Sequence, residues 1–268
     1  MKQYKVAIIG NGMICNAAHI PAYKAMGDKV KIVAVADIRE EAAKETAERH
    51  GIPKYYVDPY KMLEEEKPDI ISVCTPNAYH KEYTLAGFRA GCHVVCEKPV
   101  AVTCADAEEM FNAAEKAGKH LFVIQSLRFT GNFKAAAGLA KSGCLGDIYY
   151  ADLNLVRRRG VPRWGMFHMA KENVGGAFCD LGVHMCDYLM SISGNPKMVS
   201  VSGSAVTRIV NKEKNIEFSN AESGAPTGLF TPRKFDMKEF DVEEFANGYI
   251  RLENGMTVTF KKIGRAHV

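Results

Sequence analysis

Asp180, His184 and Asp187 follow the spacing i, i+4, i+7, which on a helix sets them along one polar stripe, with Phe178, Leu181, Met185 and Leu189 as the apolar packing. A carboxylate one turn from an imidazole can orient the ring and favour its protonated form. The plainer reading is an exposed helical face that happens to carry a histidine. Far away in sequence, Glu97-Lys98-Pro99 ends a short β-branched run, and the proline restricts the backbone of the lysine before it. An ammonium held at a strand end can polarise an oxygen, although most lysines at such places are only solvated.

Another set of residues points to a phosphate-bearing ligand. Gly10-Asn11-Gly12-Met13-Ile14-Cys15 follows the first strand and opens a helix, the place where a dinucleotide fingerprint belongs. Gly10 permits the tight turn, and Gly12 lets the backbone approach a pyrophosphate held by N–H groups where Met13 and Ile14 begin the helix. The third position of the fingerprint is Cys15, small enough for close helix–strand packing. Asp37 ends the second strand, where its carboxylate can accept hydrogen bonds from ribose hydroxyls and repel a 2′-phosphate. This favours NAD, while Arg39 two residues on leaves NADP open. The alternative for Asp37 is a cap on the helix that begins near Glu40. Thr75-Pro76-Asn77-Ala78-Tyr79-His80 and Glu97-Lys98-Pro99 both follow strands, at the carboxyl edge where open α/β sheets bind ligands.

These groups must be positioned by an alternation of strands and helices. Residues 5–9, 31–36, 69–74, 93–96 and 121–125 read as strands rich in Val and Ile, with helical stretches near 13–26, 40–50, 78–90 and 104–117 between them. That is the pattern of a doubly wound parallel sheet covered on both faces, an α/β Rossmann-type domain over residues 1–125. Beyond it the rhythm changes to a helix at 133–142, strand alternation at 148–156, a helix at 176–190, and strands at 198–206, 247–253 and 256–260. Residues 126–260 are therefore expected to form an α+β domain with an open, mainly antiparallel sheet, crossed by a long excursion over 211–240. Asn254-Gly255 is a hairpin signal, and the strand it returns is followed by eight residues with no closing element, which would leave an edge strand bare. The tail reads Ile-Gly-Arg-Ala-His-Val, the translation of ATC GGA AGA GCA CAC GTC, a string that looks like a sequencing-library adapter. The expectation is that 261–268 are read-through and that the protein continues further.

Composition narrows the function classes. The 268 residues are 47% hydrophobic and 25% charged, ordinary for a folded protein of one large or two modest domains. A net charge of +4, well interspersed, gives no nucleic-acid footprint. No apolar run approaches the ~20 residues that span a bilayer, and the N-terminus lacks a signal-peptide pattern. Eight cysteines without a C-x-x-C pair suit a reducing cytoplasm better than a disulfide or zinc scaffold. Arg157, Arg158, Arg159 and Arg163 suggest solvated or subunit contacts, or a grip on a substrate anion. Trp164 could stack on a sugar ring or simply pack.

Taken in order, Gly10-x-Gly12, His19-Ile20-Pro21-Ala22, Thr75-Pro76-Asn77 with His80, Glu97-Lys98-Pro99, Arg128-Phe129, Gly175-Gly176 and Asp180-Leu181-Gly182-Val183-His184 give a chain that resembles the Gfo/Idh/MocA oxidoreductases over about residues 4–260. The resemblance implies a Rossmann domain binding NAD or NADP. It implies a second domain whose open sheet faces the substrate and mediates homo-oligomer formation, and roughly 60–100 further residues. It carries Lys98, Asp180 and His184 across as catalytic, with Thr75, Pro76, Asn77, His80 and Glu97 at the cofactor and Arg128 and Trp164 at the substrate. The implied activity is hydride transfer between a secondary alcohol of a sugar, cyclitol or polyol and the nicotinamide, His184 taking the proton while Lys98 holds the oxygen. Which of the two accepts the proton stays open at this level. The alternatives are an NAD-assisted glycoside hydrolase of the same fold and a non-catalytic cofactor-binding regulator.

Overall fold

The computed structural model describes residues 2–156, 164–208 and 227–263. Its first sheet has six parallel strands: β1 (Tyr4–Ile9), β2 (Val30–Ala36), β3 (Tyr55–Tyr56), β4 (Ile70–Val73), β5 (His93–Cys96) and β6 (Leu121–Val123). Their order is β3-β2-β1-β4-β5-β6. Val6 to Ile9 are buried without alternation, because helices cover both faces of a parallel sheet. The covering helices are α1 (Ile20–Ala25), α2 (Glu40–His50), α3 (Pro59–Glu66), α4 (His80–Arg89) and α5 (Cys104–Ala117).

Each boundary has a local cause. α3 starts at Pro59, with the Asp58 carboxylate accepting from the Tyr60 N–H at 2.8 Å. α5 starts where the Thr103 hydroxyl accepts from the Asp106 N–H. The expected helix over 13–26 is broken: a wide π turn (Cys15–His19) precedes α1. β3 and α3 are not among the elements expected from the sequence, since a two-residue strand carries no periodicity to read.

Because the strand order reverses direction between β1 and β4, the connections leaving their carboxyl ends run to opposite faces of the sheet and open a crevice. Gly10 turns the chain there with φ +91°, and a β-carbon on it would lie 2.6 Å from the Cys74 carbonyl oxygen. Gly12 instead faces open space, with nothing within 4 Å of its would-be β-carbon.

After β6 the chain forms α6 (Gly131–Lys141), β7 (Tyr150–Val156), a short α7 (Ala170–Asn173), a π turn (Phe178–Gly182) leading into α8 (Val183–Ser193), and the strands β8 (Met198–Val206), β9 (Phe245–Leu252) and β10 (Thr257–Ile263). The second sheet is mixed, in the order β7-β10-β9-β8, with β10 parallel to β7 and antiparallel to β9. Leu189 of α8 packs on Ile250, Leu252, Met256 and Val258 from one side. On β8, Val199 and Val201 are exposed.

Two expectations change here. The returning strand after the Asn254-Gly255 turn is not a bare edge: β7 and β9 pair with it on both sides, and Lys261 to Ile263 belong to it. The parallel partner comes from a hundred residues earlier, beyond the reach of a local turn signal. The helix over 176–190 is interrupted by the π turn, whose extra residue rotates α8 about its axis and removes the simple i, i+4 stacking. Residues 264–268 of the tail, 211–226 of the excursion, and Arg157, Arg158, Arg159 and Arg163 lie outside the described residues.

The two fingerprint glycines should separate in a thermal unfolding experiment. Gly10→Ala, forced into a left-handed conformation and against a carbonyl, is expected to cost about 2 kcal/mol or more, while Gly12→Ala stays within about 0.5 kcal/mol of the unsubstituted chain. Equal melting temperatures for the two would overturn this account of the turn.

Candidate active site

Lys98 stands at the tip of β5 with its side chain 16% exposed, and its Nζ donates to the Asp180 carboxylate at 2.9 Å and to the Asp180 carbonyl at 2.8 Å. Asp180 lies in the π turn before α8, so this pair ties the first sheet to the second half of the chain. Asp180 therefore serves the lysine and not His184, contrary to the simple helical stripe.

His184 takes its partner from elsewhere. Its Nδ1 is 3.2 Å from Oε1 of Gln125, just past β6. An amide oxygen only accepts, so Nδ1 carries the proton and Nε2 presents a lone pair; Nε2 makes no hydrogen bond among the described residues. Burial first, then the charge of Lys98, push the His184 pKa below its ordinary value, with Asp180, Glu97 and Asp187 opposing. The ring is thus held neutral, the reverse of the protonated form expected from a carboxylate one turn away. In the sequence Gln125 is only the end of a strand; no periodicity singles out a glutamine whose partner is 59 residues on.

Asp187, third member of the stripe, is bound by Arg128, whose Nε donates at 2.8 Å. Arg128 lies outside the cleft lining and forms an ion pair with Asp187. His80 is likewise withdrawn: it is 1% exposed, with Nδ1 2.7 Å from the Pro99 carbonyl and Nε2 3.0 Å from the Thr75 carbonyl. Burial lowers its pKa, and a neutral ring has one N–H for the two oxygens. It straps the loop after β4 to the loop after β5 from behind.

One cleft of about 560 Å³ joins the remaining residues. Gly10, Gly12, Met13 and Ile14 line it from the β1 turn, and Asp37 and Arg39 from the end of β2. The Asp37 carboxylate accepts from the Asn11 N–H at 2.7 Å and the Arg39 N–H at 2.9 Å. It does not cap α2, which has no side-chain cap. Arg39 is engaged by Asp37 (3.7 Å) and by the Thr231 carbonyl (3.4 Å). Thr75, Pro76 and Asn77 form the middle wall, where Asn77 donates to the Asn173 carbonyl at 3.1 Å. Glu97, Lys98, Asp180 and His184 close the far end, and Trp164 also faces in.

From β2 to β5 there are three strand spacings, about 14 Å, room for an extended dinucleotide. The residues present fit one. Gly12 is open to the cleft, and the buried Thr75 Oγ1 and Trp164 Nε1 have no hydrogen-bond partner among the described residues, a cost that a polar ligand would offset. Cys15 is fully buried and its thiol is pushed up to about 12, consistent with packing.

Known proteins place this architecture. The model of an oxidoreductase family with an NAD-binding Rossmann fold, GFO_IDH_MocA, matches residues 4–125, and the GFO/IDH/MocA C-terminal domain matches residues 133–266. The D-glucoside 3-dehydrogenase of Escherichia coli is 36% identical over 251 residues, covering 94% of this chain and 67% of that relative. The myo-inositol 2-dehydrogenase of Thermotoga maritima is 30% identical over 190 residues, 71% of this chain and 55% of the relative. The chain thus spans between about half and two thirds of the length of these relatives. The WlbA dehydrogenase from Bordetella pertussis, solved with NADH and UDP-GlcNAcA, shares the fold with a TM-score of 0.79 at 21% identity, over 99% of this chain and 72% of that one. With both of its halves matched in order, the chain belongs to the GFO/IDH/MocA family of NAD-binding oxidoreductases.

Proposed function

We propose that the protein oxidises a secondary alcohol of a sugar, glycoside, cyclitol or related polyol, with NAD as the hydride acceptor. The observation that carries this reading is the convergence of Lys98, from the tip of β5, and His184, from α8, on a cleft that continues to Gly12 and Asp37. The relatives named for glucoside and inositol dehydrogenation support the substrate class. The Gly10–Ile14 turn would hold the pyrophosphate, Asp37 the ribose hydroxyls, and Thr75 to Asn77, Glu97 and Lys98 the nicotinamide half. The Asp37 carboxylate, held at the end of β2, would repel a 2′-phosphate, which supports NAD over NADP. When bound, the dinucleotide supplies the acceptor for the carbinol hydride.

The side chains handle the proton. Lys98 commits two N–H bonds to Asp180 and keeps a third for the alcohol oxygen. His184 takes the hydroxyl proton on Nε2, while Gln125 fixes the tautomer through Nδ1. As the O–H bond breaks, Lys98 stabilises the developing alkoxide. Trp164 lines the cleft, and its buried Nε1, without a partner among the described residues, would be a donor for a substrate oxygen. Arg128 and His80 act on the framework and not on the ligands.

We also infer a division near residue 125, a cytoplasmic home and assembly of copies of the whole protein. Eight free thiols support the second, and the exposed apolar side chains of β8 support the third. Among the described residues no helix is long and apolar enough to cross a membrane.

Incubation with NAD, or NADP in parallel, and a panel of inositols, hexoses, glycosides and sugar acids should yield NADH with one class. Folded, NAD-binding protein that reduces no cofactor on any of them would favour redox-assisted glycoside cleavage. Lys98→Met should lower kcat by about 100-fold or more while NAD binding, read by fluorescence titration, persists; retained turnover would remove the lysine from the mechanism. Because neutral His184 is the competent form, kcat/KM should fall with decreasing pH through a value below 6.5 and stay level above it. In Lys98→Met the histidine titration, followed by NMR, should move upward. An acid limb well above 6.5 would exclude His184 as the base.

A further inference from the structure

Glu97 belongs to a buried line of polar groups beneath the far end of the cleft. Its Oε1 is 2.9 Å from Nε2 of His19, and its Oε2 accepts from the Lys98 N–H at 3.2 Å. Nδ1 of His19 is 3.3 Å from the Ser72 hydroxyl, which is 2.7 Å from the Tyr23 hydroxyl. Glu97, His19, Ser72 and Tyr23 are all at most 9% exposed. Nε2–H of His19 donates to the carboxylate, and the Ser72 and Tyr23 hydroxyls hold the ring from its other side. His19 is thus an anchor for Glu97.

Most neighbouring charged groups have partners of their own. Lys98 is paired with Asp180 and Arg128 with Asp187. Glu172 accepts from the Tyr79 hydroxyl and lies in the field of Arg233, while His184 is held neutral. Among the described residues no lysine or arginine pairs with the Glu97 carboxylate, which lines the end of the cleft where the nicotinamide half would lie. The oxidised nicotinamide ring is a cation and the reduced ring is neutral, so an anion in a half-enclosed site distinguishes them.

We propose that Glu97, held in place by the His19–Ser72–Tyr23 line, makes the site prefer the oxidised nicotinamide over the reduced one, with His19 as a positioning residue. This rests on the dinucleotide reading above. The test measures the affinities of NAD and NADH separately on the folded chain, NADH by its fluorescence and NAD by competition, for the unsubstituted protein and for Glu97→Gln, His19→Phe and His19→Gln. Glu97→Gln should weaken NAD about tenfold while NADH changes by less than about twofold. His19→Phe, which releases the carboxylate, should shift the ratio of the two affinities in the same direction. His19→Gln, whose amide can still donate to Glu97, should restore it. If Glu97→Gln does not fold, the contrast between the two His19 variants decides. Equal factors for the two cofactor forms, or identical ratios in His19→Phe and His19→Gln, would overturn the inference alone. Failure of the unsubstituted chain to bind either form would overturn the dinucleotide reading and the inference with it.

Discussion

Lys98 reaches from the tip of β5 to the π turn before α8, where the side chain and the backbone of Asp180 both take its protons. Each partner is mostly withdrawn from water, so either one left alone would be a desolvated charge, at a cost of about 3 kcal/mol. The pair is therefore more than a link between two packed units. It fixes where the ammonium sits, depresses the basicity of His184 through its positive member, and holds the turn from which α8 departs. Gln125–His184 and Asn77–Asn173 repeat the theme: in each, a residue just beyond a strand of the first sheet meets a side chain or carbonyl of the second half.

The cofactor end obeys a different constraint, steric rather than electrostatic. β1 and β4 lie so close at Gly10 and Cys74 that only a residue without a β-carbon can turn there. One strand out from β1, the Asp37 carboxylate is held by two backbone N–H groups, so its direction is set before any ligand arrives. This end of the cleft is built from backbone, and the other end from side chains of distant elements.

That difference explains what is legible in the sequence. Glu40–His50 and Cys104–Ala117 coincide with the helices expected at 40–50 and 104–117, because apolar period and end residues are local information. Gly10, Gly12 and Asp37 are legible for the same reason, their roles depending on the strand just before them. The partners at the far end are not. A separation of four residues pairs Asp180 with His184 on paper, yet a π turn intervenes and an ammonium 82 residues away binds the carboxylate. Arg128 has the type and charge of a substrate ligand, but Asp187 claims it. β10 resembles a raw edge in the sequence because its parallel neighbour β7 lies so far back in the chain. Spacing shows which face a residue occupies, whereas the charge or amide that meets it is decided by the packing of two sheets.

His184 owes its tautomer to Gln125, and Gln125 belongs to the other half of the chain. If the halves drew apart by a few ångströms, the imidazole would lose its proton address and Lys98 its counter-ion in the same movement. The β1 turn and Asp37 would remain intact, since both lie wholly within the first sheet. The tautomer of the histidine and the counter-ion of the lysine thus depend on one and the same seam, and the grip on Asp37 does not.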